Sequence, residues 1–96
     1  MVLEVADISV KPDVQEQFIA AYGTAGREIS SAPGCQSLRL VQGIESPSRF
    51  VLLVEWDSVA AHEQNFRATD RFTRWRAAIT PFLAQPLQVE HFSDIS

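Results

Sequence analysis

The chain has 96 residues, 46% hydrophobic and 21% charged, with a formal net charge of −4, which is the make-up of one small soluble domain over residues 1–96. Eight basic against twelve acidic residues leave no footprint for nucleic acid, and no apolar run approaches the ~18 residues of a membrane helix. The start lacks a signal peptide's charged and apolar regions, and the single Cys35 cannot form an internal disulfide, so a cytoplasmic setting is expected.

Residues 2–10 alternate, with Leu3, Val5 and Asp7 on one face and Ala6, Ile8 and Val10 on the other, a strand with both faces largely apolar. Lys11-Pro12-Asp13 stops it. Asp13 followed by Glu16 predicts a capping box, and Val14, Phe18, Tyr22, Ala25 and Ile29 make the apolar stripe of a helix that Ala32-Pro33-Gly34 ends. A second strand over 35–41 and a third over 49–56 are joined by a hairpin connection. The third is nearly continuous in apolar residues from Phe50 to Val54. Asp57 and Ser58 can cap a second helical region, which carries Val59, His62 and Phe66 and then Phe72, Trp75, Ile79 and Phe82, with a break or new cap at Thr69-Asp70. Within it Arg67, Arg71, Arg74 and Arg76 are the densest basic run. Pro86 opens a last strand over 87–92.

The order strand, helix, strand, strand, helix, strand is the α+β, ferredoxin-like β-α-β-β-α-β motif, an antiparallel sheet with its helices on one face. Helices cover one face only, yet the third strand is apolar on both. A second copy of the chain is therefore expected against the open face, making a homodimer.

Three stretches carry a resemblance. They are Val10-Lys11-Pro12-Asp13 with Phe18, Ala32-Pro33-Gly34-Cys35, and Ser46-Pro47-Ser48-Arg49-Phe50-Val51-Leu52 running into Glu55-Trp56-Asp57-Ser58 with Ala60-Ala61. In order and spacing they resemble the antibiotic biosynthesis monooxygenase (ABM) family of dimeric α+β-barrel proteins. The resemblance implies a pocket between helices and sheet in each subunit. It also implies, as one branch, oxygenation of a small phenol- or quinol-like aromatic with O₂ and no metal, flavin or haem. Other members degrade haem or have no known activity, so a non-catalytic small-ligand or stress-response dimer is the alternative. The haem-degrading pattern is not intact here, because the first strand offers Asp7 and Phe66 stands near the position of that branch's Trp.

Candidate residues follow. Asn65 is read either as a donor to a substrate oxyanion or as a capping residue. His62, on the stripe of Val59 and Phe66, is a general base near its ordinary pKa or a satisfied buried histidine. Trp75 with Phe72 and Phe66 forms an aromatic wall or plain core, and Trp56 is read as packing. Asp7, mid-strand among apolar neighbours, is a candidate substrate anchor, and Arg39 a dimer-interface residue. His91 is given a structural role at the edge or dimer contact. Cys35 is a turn cysteine, two distant histidines without a Cys pair give no metal-ligand spacing, and no phosphate or dinucleotide loop is present.

Overall fold

The computed structural model describes residues 1–96. Strand β1 (Val2–Ser9) leads to helix α1 (Gln15–Ser30), then β2 (Cys35–Gln42) and β3 (Arg49–Trp56). A short helix α2 (Val59–His62), a π-helical turn (Glu63–Arg67) and α3 (Asp70–Ile79) follow, and after a 3₁₀ turn (Thr80–Phe82) comes β4 (Gln88–Phe92). The four strands pair antiparallel in the order β2-β3-β1-β4. This is the ferredoxin-like arrangement, with all helices on one face. No helix is long and apolar enough to cross a membrane.

Period-two alternation sorts each strand. On β1, Ala6 and Ile8 are buried under the helices, as are Phe50, Leu52, Val54 and Trp56 on β3. They meet Phe18, Ala25 and Ile29 of α1 and Trp75 and Ile79 of α3 in one core. Phe18 anchors it, with its ring 4.8 Å from Phe50 and 6.3 Å from Phe82. Each such fully buried side chain contributes about 1.5–3 kcal/mol over an exposed one. The other face carries Leu3, Val5, Val51, Leu53 and Val41 with no element over it.

Two local expectations are corrected. Asp13 does not cap α1. It takes a left-handed conformation with φ 69°, the helix starts after Val14, and no side chain accepts from its first turn. The ordinary capping box needs an extended backbone at the cap, which a left-handed residue cannot supply. The second helical region is not one helix interrupted once. Ser58 caps α2 by accepting from the Ala61 amide at 3.0 Å, and the next turn then widens. The Ala68 amide reaches back five residues to the Glu63 carbonyl at 2.9 Å, as a π turn requires. Thr69 precedes α3 and donates its hydroxyl to the Phe66 carbonyl at 2.7 Å, so the Thr69-Asp70 break falls as expected.

Candidate active site

His62, just before the wide turn, meets Glu4 near the start of β1 and His91 near the end of β4. A cavity of about 690 Å³ lies between α3 and the sheet. The walls are mostly apolar: Phe66, Phe72 and Trp75 on the helical side, Ala6 and Leu52 on the sheet, and Leu83, Leu87 and Val89 on the chain leading into β4. The floor is polar, built by Glu4 and His62.

Glu4 shares the inward face of β1 with Ala6 and Ile8, and it is 5% exposed. Its Oε1 accepts from Trp56 Nε1 at 2.9 Å and lies 3.3 Å from His62 Nε2. Burial raises its carboxyl pKa, against the lowering effect of the Trp56 hydrogen bond and, more weakly, of Arg67. His62 is 2% exposed, its ring stacked on Trp56 at 5.0 Å and on Phe66 at 6.0 Å. The expectation of a histidine near its ordinary value is corrected. Burial, and then the neighbouring His91, push its pKa down to about 4, so at neutral pH the Glu4–His62 contact joins a carboxyl group to a neutral ring and is not an ion pair.

The second ring nitrogen of His62, Nδ1, is 2.7 Å from Nε2 of His91. His91 sits directly across from Glu4 in the β1–β4 register, half-buried on the outer strand. Glu4, His62 and His91 thus form a chain of polar contacts, at 3.3 and 2.7 Å, from the cavity floor to the sheet edge. It has two consistent proton arrangements. In one, His91 donates to His62 and His62 to the Glu4 carboxylate; in the other, a protonated Glu4 donates to His62 and His62 to His91. Passing between them moves one proton along each link. His62 spends its two ring nitrogens on opposite partners, so the three side chains do not converge on one point as metal ligands would, and no group of three or more His, Cys, Asp or Glu is placed to hold an ion.

The other candidates from the sequence are placed as follows. Phe66, Phe72 and Trp75 line the cavity. Asn65 does not: its Nδ2 donates to the Pro33 carbonyl at 2.7 Å and ties the π turn to the end of α1. Asp7 lies on the uncovered face of the sheet, 3.0 Å from Arg49 Nε, away from the cavity. Such an exposed pair is screened by water and contributes little to stability. From the sequence, Glu4 carries no assigned role, His91 a structural role at the edge or dimer contact, and Trp56 packing alone. A signal for Glu4 existed in the alternation, since a carboxylate in step with Ala6, Ile8 and Val10 must face the core. His91 gave none, because only strand pairing brings residue 91 opposite residue 4.

The fold is that of a small ferredoxin-like domain with a cavity between helices and sheet, and comparison fixes the family. The antibiotic biosynthesis monooxygenase family model matches residues 1–78, and the chain belongs to that family. The uncharacterized protein YczJ of Bacillus subtilis is 30% identical, over 99% of this chain and 100% of its own length. The crystal structure of a candidate antibiotic biosynthesis monooxygenase from Bordetella bronchiseptica superposes with a TM-score of 0.93 at 33% identity, covering 99% of this chain and 97% of that one. A variant of SnoaB, a cofactor-independent oxygenase from Streptomyces nogalater, superposes with a TM-score of 0.85 at 15% identity, covering 99% and 93%, and so shares the fold.

Proposed function

We propose that this chain is a cofactor-independent monooxygenase acting on a small, electron-rich aromatic held in the helix–sheet cavity. The observation that carries the reading is the buried Glu4–His62–His91 chain at the floor of an apolar cavity. A carboxylate whose pKa is raised by burial is a stronger general base than an ordinary one. Glu4 takes the proton that activates the bound phenol or its carbon tautomer, and His62 and His91 pass it outward. The resulting anion reduces O₂. For an anthrone-like substrate a ring CH₂ becomes C=O, one oxygen atom enters the product and the other leaves as water. All four electrons come from the substrate, so the chemistry requires no flavin, haem or metal. Phe66, Phe72 and Trp75 are the walls against which the ring packs, and they keep water from the anion. Asn65 acts at a distance, holding the turn that positions His62. Membership of the family, and the cofactor-independent oxygenase SnoaB on the same fold, support this reading.

The test is O₂ consumption by the purified protein with anthrone and a series of quinols. Native protein is expected to turn over, and Glu4→Gln to lose on the order of 10²–10⁴-fold in kcat while staying folded. A stoichiometric chromophore in the purified native protein would overturn the cofactor-free mechanism. If no such substrate is oxidised while aromatics still bind, the protein is a small-ligand-binding member instead.

A further inference from the structure

The four arginines of the basic run divide into two pairs. Arg74 is spent on structure: its Nε and Nη2 donate to the two carboxylate oxygens of Glu28 at 2.7 and 3.0 Å, joining α3 to α1. Arg71 does the same more weakly, with Nη2 3.5 Å from the Ser31 carbonyl at the end of α1. Arg67 and Arg76 lie on the other side and line the cavity. Their guanidinium carbons sit 5.5 and 5.6 Å from the centre of one ring, Phe72, which itself forms part of the wall. Arg76 has no ion-pair partner, and Arg67 has only Glu63, at 3.8 Å and about half exposed. Stacking on a ring fixes the plane of a guanidinium while leaving its N–H edge open. In a chain of net charge −4, two such cations beside a cavity whose walls are mostly apolar are a local reversal of sign.

We propose that the ligand of this cavity is an aromatic acid, whose ring fills the apolar interior and whose carboxylate is held at the mouth by Arg67 and Arg76. The proposal uses the ligand cavity of the reading above and adds the class of ligand. The apolar walls take the ring, and two forks beside a shared aromatic suit the planar, bidentate geometry of a carboxylate.

Titration calorimetry with 2-naphthoate and its uncharged counterpart 2-naphthamide tests this without any turnover. Native protein is expected to bind the acid on the order of 10-fold or more tightly than the amide, the preference shrinking as salt rises. Arg76→Gln and Arg67→Gln should each remove several-fold of acid affinity, the double variant should bind acid and amide alike, and amide affinity should stay within about twofold throughout. Arg74→Gln, on the α1 side, should leave the preference intact. Equal binding of acid and amide by native protein, a preference that survives the double variant, or no binding of either would overturn the proposal. An oxygenase that shows no acid preference would lose only this inference. An acid-selective protein that consumes no O₂ would lose only the oxygenase reading.

Discussion

Glu4 and His62 oppose each other in their response to pH, because each is buried in its neutral-favouring surroundings. The folded His62 refuses a proton until about pH 4, whereas the unfolded chain takes one near 6.5. Stability from this ring is therefore complete above pH 6.5 and is lost as pH falls toward 4, over a range on the order of 3 kcal/mol. Glu4 has the reverse sign. Its folded pKa lies above the ordinary 4.5, so its contribution is present below that value and is lost as pH rises through the raised one. The charged groups acting on the ring are His91, Glu63 and Arg67. Urea unfolding of native protein and His62→Gln at about pH 7 and about pH 4 separates the two effects: the native protein should lose more stability on acidification than the variant. Equal losses would show that the ring is not held neutral.

The junction between α2 and α3 carries both the buried pair and a tie to α1. His62 and Phe66, four positions apart, both face inward as ordinary helical spacing gives, and Asn65 ties the π turn to the end of α1. Gly34 is the other half of that junction. Its φ is +92°, its carbonyl accepts from the Asp57 amide at 2.9 Å, and a Cβ there would stand 2.8 Å from the Cβ of Ala61. Gly34→Ala combines a left-handed backbone with a clash against α2, and is expected to lower stability by about 1–3 kcal/mol in a urea titration. Asn65→Ala removes one hydrogen bond and should cost about 1 kcal/mol. Unchanged midpoints in both would mean that the junction does not hold the turn.

On the scale of the whole molecule the open sheet face is the unbalanced feature. Leu3, Val5, Val41, Val51, Leu53 and Phe92 share it, with Val41 and Phe92 37% and 47% exposed. A patch of that kind calls for a cover. A second copy is the proposed cover, with Arg39, which is exposed on the same face and paired in register with Leu53, at the contact. Sedimentation equilibrium at micromolar concentration is expected to give twice the chain mass, and Arg39→Glu to raise the dissociation constant. A monomer would remove the dimer, and an unchanged constant would remove Arg39 from its interface.

Order and type of the elements were legible in the residues, because burial imposes period two on strands and 3.6 on helices, and Ala32-Pro33-Gly34 punctuates them. The aromatic wall was legible for the same reason: Phe66, Phe72 and Trp75 fall on the inward stripe. The polar floor was not. Glu4 meets Trp56 across 52 positions and His62 meets His91 across 29, contacts that local periodicity does not encode. They exist because β3 and β4 flank β1 and α2 places His62 over Glu4. Asp7 and Glu4 looked alike as charges in an apolar strand. Their opposite parity, and the helices lying on one side of the sheet, sent one to solvent beside Arg49 and the other into the cavity.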